Sequence, residues 1–88
     1  MRYEISEVEG TTLAPVNATG EMFYELGMMY AAGRSVPTDL VSAHKWFNLA
    51  AMRGNADAIR LRREVAEEMS TDQIAAAQRA ARDWLTMH

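Results

Sequence analysis

The chain of 88 residues contains no cysteine. That excludes a disulfide framework and thiolate-bound metal, and it is compatible with a reducing compartment. Proline occurs only at Pro15 and Pro37, so no proline interrupts a helix beyond Pro37. No apolar run reaches the length of a membrane-spanning helix, and residues 1–7 lack the apolar core of a secretory leader. Cationic excess is missing too. Twelve acidic residues outnumber nine basic ones for a net charge of -3, so no global field attracts phosphate backbones or anionic lipid. These absences lead to the expectation of a cytoplasmic chain with no membrane partner, and they disfavour nucleic acid.

What is present is ordinary for a globular domain: 49% apolar residues and 24% charged. At this length the chain holds one domain at most, and a small one buries a low fraction of its surface. Residues 1–17 stand apart, with Glu4, Glu7 and Glu9 against Arg2 alone, followed by Gly10, Thr11, Thr12 and Pro15. They read as an acidic, mostly irregular arm. Residues 18–88 read as a helical repeat domain, with a full repeat over about 18–55 and a capping hairpin over about 56–88.

The spacing predicts four helices. The first, over 18–32, carries Met22, Phe23, Leu26, Gly27 and Tyr30 on one stripe, with Asn17 or Thr19 as its cap and Gly33 closing it. The second, over 39–53, carries Ala43, Trp46, Phe47, Ala50 and Ala51 on one continuous face. Small alanines beside large rings let two helix backbones approach while the rings fill the gap. The third, over 56–69, places Ala58, Leu61, Val65 and Met69 on one side and its charges on the others. Ser70 and Gln73 have the spacing of a capping box for the fourth helix, over 71–86, whose stripe is Ile74, Ala77, Ala81, Trp84 and Leu85.

Helix, short loop, helix, glycine turn is the pattern of a helical repeat. The stretch 22–39, with Leu26-Gly27, Tyr30, Gly33, Val36 and Asp39, resembles the first half of a Sel-1-like repeat. The stretch 43–58, with Ala43, Trp46-Phe47, Ala50-Ala51, Gly54 and Ala58, resembles the second half, in register and without gaps. Departures are Ser35, where the family has a second loop glycine, and Met22, where it has a small residue. A second repeat from Ala58 would place its Leu-Gly pair at Arg62-Arg63, so only one well-matched repeat is present, over about 22–58. The resemblance implies an all-α fold of tetratricopeptide-like type: two antiparallel helical hairpins stacked as a short right-handed α-solenoid. It also implies a non-catalytic adaptor, as in bacterial signalling, envelope regulation and quality control.

Catalytic and metal constellations are weak, and neither a cofactor nor a metal is expected. His44 would need a ligand partner at i+3 or i+4, where Phe47 and Asn48 stand, so it reads as a solvated or half-covered surface residue. Glu64, Glu67, Glu68 and Asp72 read as a solvated acidic face, and the arginines from 53 to 82 are interleaved with acids. Asn17-Ala18-Thr19 is a glycosylation triplet of a kind common by chance. The candidate partner-binding residues are Tyr24 and Met28, on the helix that lines the concave side of such a solenoid, with Ile59, Arg62 and Arg63 as neighbours. In this reading Arg63 steers acidic partners toward the apolar patch. The expected partner is a protein or peptide. Self-association as a homodimer and a nucleic-acid-associated regulator are the alternatives.

Overall fold

A computed structural model describes residues 19–87; the acidic arm expected at 1–17 lies outside the described residues. Four helices follow one another: α1 (Gly20–Ala32), α2 (Leu40–Met52), α3 (Ala56–Ala66) and α4 (Thr71–Met87). No strand occurs among the described residues, so the all-α expectation holds at the level of a helical bundle. No helix among them is long and apolar enough to cross a membrane.

Local chemistry sets the boundaries. Thr19 Oγ1 accepts from the Met22 amide at 3.2 Å, Asp39 Oδ1 from Ser42 at 3.1 Å and Asn55 Oδ1 from Ala58 at 2.9 Å. Each satisfies a first-turn donor that has no partner inside its helix. The capping box of α4 is closed in both directions, with Gln73 N donating to Ser70 Oγ at 3.1 Å and Ser70 N to Gln73 Oε1 at 2.9 Å. That box also shortens α3, which ends at Ala66 and does not run to Met69. Glu68 and Met69 donate back to Val65 and Ala66 at 3.0 and 3.1 Å, tightening the chain into a turn as it enters the box. In the α1–α2 loop Gly33 is left-handed at φ 73°, and Ser35 is left-handed too at φ 67°. The serine thus takes a conformation that glycine adopts without steric cost.

α2 is the centre of the bundle. It packs closely against α1, α3 and α4, whereas α3 and α4 scarcely approach each other. α1 and α2 run in opposite directions: Gly20 at the start of α1 lies against Ala50 and Arg53, and Asp39 N donates to Tyr30 O at 3.0 Å at the other end. They cross at Gly27, where a Cβ would stand 2.5 Å from the Phe47 ring, so with the ring in this position only glycine fits the crossing.

Because three helices cover α2, its burial extends beyond the expected stripe to His44 and Leu49. His44 is a correction to the sequence reading: it is 4% exposed and not a surface residue. A helix stripe forecasts one covered face, and α2 has partners on several sides. On the flank toward α1 and α4, Phe23, Trp46 and Trp84 interlock. Phe23 stacks on Trp46 at 5.7 Å between centroids, and Trp84 meets Phe23 edge-on at 5.2 Å and Trp46 at 6.1 Å. Phe23, Phe47 and Leu49 are fully buried, each contributing about 1.5–3 kcal/mol by leaving water.

Candidate functional site

On the other flank of α2 the bundle does not close. A groove of about 240 Å³ runs between α1 and α3. Met28, Ala31 and Ala32 form the α1 wall, Leu61, Glu64 and Val65 the α3 wall with Glu68 just beyond it, and Phe47 of α2 lies at the base. The groove exists because both walls present small or flexible side chains at this level. Two alanines on α1 leave the space that a larger side chain would fill, and Met28 adapts to irregular surfaces. A second hollow of about 440 Å³ lies at the adjoining end of the bundle, bordered by Tyr30, the loop and first turn from Pro37 to Val41, Glu68 and Gln73. Glu68 borders both.

Of the five residues singled out from sequence, Met28 lines the groove. Tyr24 is half-buried one turn earlier, with its ring 6.0 Å from the Phe47 ring, and so backs the groove base. Ile59 is 40% exposed and lies outside the lining. Arg62 is directed to α2, where its guanidinium donates to Asn48 Oδ1 at 2.6 Å. Arg63 is exposed in the last turn of α3 and is absent from the lining. Phe47, Leu61, Glu64, Val65 and Glu68 were read from sequence as core or as solvated charge. A signal for the α3 wall was nevertheless present: Leu61, Glu64, Val65 and Glu68 follow i, i+3, i+4, i+7 and share one stripe.

The electrostatics of the groove are one-sided. Its lining holds two carboxylates and no basic side chain. Glu64 makes an exposed ion pair with Arg60 at 3.3 Å, which is weak in water. Beneath the α2–α3 contact, burial first and the Arg62 guanidinium second hold His44 below the ordinary histidine range. The ring is therefore neutral at pH 7, and its Nδ1 has no hydrogen-bond partner among the described residues. Lys45 Nζ sits 4.2 Å from the Trp46 ring centroid, and burial lowers its pKa as well. Among the described residues no three His, Asp or Glu side chains converge as a metal site would require.

The groove can therefore accept apolar side chains between acidic neighbours, with its base set by the most buried helix of the bundle. Comparison with known protein families, curated proteins and solved structures finds no match to this chain.

Proposed function

We propose that the chain is a non-catalytic protein-interaction module of Sel-1-like repeat type, acting as an adaptor that holds a partner peptide or helix in the α1–α3 groove. In this reading the four helices form two antiparallel hairpins stacked as a short right-handed α-solenoid, and the groove is its concave side. The observation that carries the reading is the open apolar trough over Phe47, walled by Met28 and Leu61, beside a flank of the same helix that is fully interlocked. A single domain this small gains by closing its apolar surface. An open trough on a rigid base is the arrangement by which helix-in-groove recognition works. The register match over residues 22–58 is the second support.

The test is retention of partner proteins on the immobilised chain, comparing wild type with a Tyr24→Ala, Met28→Ala double variant. Both positions are only half-buried, so the helical circular dichroism spectrum should persist. The reading expects partner retention to disappear, and unchanged retention would overturn it.

A further inference from the structure

The groove carries a second kind of information, the charge of what it accepts. Resting on the adaptor reading above, we infer that the partner segment is basic and amphipathic: an apolar side chain enters between Met28 and Leu61 while lysine or arginine side chains meet Glu64 and Glu68.

Three independent features of the molecule converge on this chemistry. The first is the side-chain charge around both hollows. The smaller is bordered by Glu64 and Glu68, and the larger by Glu68 and Asp39. No lysine, arginine or histidine borders either one. A segment laid in the smaller groove meets Glu64 and Glu68 along the α3 side. Asp39 is engaged by the Ser42 amide and hydroxyl at 3.1 and 2.8 Å, but those neutral donors leave its charge in place. Glu64 is shared with Arg60, through a pair exposed on both sides that a partner cation displaces at little cost.

The second feature is backbone polarity. α2 runs opposite to α1, and α3 opposite to α2: Arg62 reaches back to Asn48, and Glu68 lies beside Leu40 and Val41. α1 and α3 are therefore parallel. The groove lies along their last turns, Ala31 and Ala32 on one side and Glu64 and Val65 on the other. Helix C-termini carry the negative end of the macrodipole, so two such ends flank the smaller groove, whereas the first turns of α2 and α4, which border the larger hollow, are positive ends. α1 has no basic residue in its last turn to offset this, and Arg63 of α3 is outside the lining.

The third is size. At about 240 Å³ the groove is smaller than the roughly 300–1,000 Å³ of sites that engulf a free organic ligand, and it suits one or two side chains of a longer segment. Basic groups at the flanks then set orientation and encounter rate, and the apolar anchor sets residence. A second copy of this chain, itself acidic at net charge -3, is the poorer electrostatic match.

The experiment uses the full chain and two synthetic helical peptides. One is built of leucine and lysine, the other has the same leucines with glutamate at every lysine. Fluorescence anisotropy of the labelled peptides gives Kd. The lysine peptide should bind on the order of tenfold tighter than the glutamate peptide. Its affinity should fall several-fold between about 50 and about 500 mM sodium chloride. Glu64→Gln with Glu68→Gln, both at exposed positions, should remove most of that preference at unchanged helicity. Ala32→Trp, which fills the mouth of the groove from an exposed position, should abolish binding of either peptide. Equal or tighter binding of the glutamate peptide, still lost in Ala32→Trp, overturns the charge inference and leaves the groove reading standing. Peptide binding that survives Ala32→Trp overturns the groove reading itself. A dimer in light scattering at low micromolar concentration that Ala32→Trp dissolves assigns the trough to a second copy and overturns the inference.

Discussion

Trp46 and Phe47 are neighbours in sequence, and one residue step around a helix is about 100°. That step separates two different environments. Trp46 faces α1 and α4, where Phe23 and Trp84 complete a set of three rings in mutual contact. Phe47 faces α1 and α3, where it fills the α1 crossing at Gly27 but lies at the base of an open trough further along. The difference lies in the partners. α4 supplies a tryptophan that reaches across to α1, while α3 supplies Leu61 and Val65, which line the groove together with Met28. A small bundle can thus place its cohesion on one flank of a central helix and leave the other flank open as a groove.

Trp84→Ala breaks the closed flank and should have the largest effect. Loss of a large buried ring costs about 3–5 kcal/mol, a large part of what holds a domain of this size together. Leu61→Ala on the open flank, half-buried beside space that already exists, should cost about 1–2 kcal/mol. Urea unfolding of the two variants compares them directly, and equal losses would erase the contrast.

Gly27→Ala tests the junction between the flanks. The added methyl would stand 2.5 Å from the Phe47 ring, so the ring has to move, and the groove is the free space it has. The clash costs about 1–3 kcal/mol, and the helix propensity of alanine returns about 1 of it. The net outcome should be a modest fall in the urea midpoint together with loss of partner binding.

A smaller effect is expected from His44, under the contact that anchors α3. Its pKa is below 6.5 in the folded chain and near 6.5 once unfolded. Between those values the unfolded chain binds a proton that the folded chain does not, so stability is full above about pH 6.5 and declines as pH falls below it. His44→Leu should flatten the difference in urea midpoint between about pH 7.5 and about pH 5.5. An unchanged decline would place the titrating group elsewhere. The smallest expected change is a gain. Ser35→Gly relieves a left-handed serine and should raise stability by about 0.5–1 kcal/mol, read as a rise of a few degrees in the thermal midpoint.

Much of the local structure was legible in the residues. The cap at Thr19, the glycine closure at Gly33 and the reciprocal box of Ser70 with Gln73 follow from local chemistry acting over three or four positions. Ser35 was partly legible: its departure from the loop glycine was visible, but the positive φ it adopts was not. His44 and the end of α3 were misjudged for a shared reason. Each depends on a neighbour distant along the chain or on a competing cap, and hydrophobic periodicity registers neither. At the candidate site, Tyr24 and Met28, which lie beside the α1 stripe, came from the solenoid resemblance, which puts that helix on the concave side. The acidic wall did not, because Glu64 and Glu68 count as solvated charge until Leu61 and Val65 on the same stripe are seen facing α1.

The sequence by itself determined the four helices in outline and the caps and turns that bound most of them, because these rest on short-range geometry. Only the tertiary structure decided that α2 would be surrounded and that Trp84 would close one of its flanks. It also decided that two parallel helix ends and two carboxylates would meet around an apolar trough on the other. Those outcomes depend on which faces meet, and a face has no fixed environment until its partners are in place.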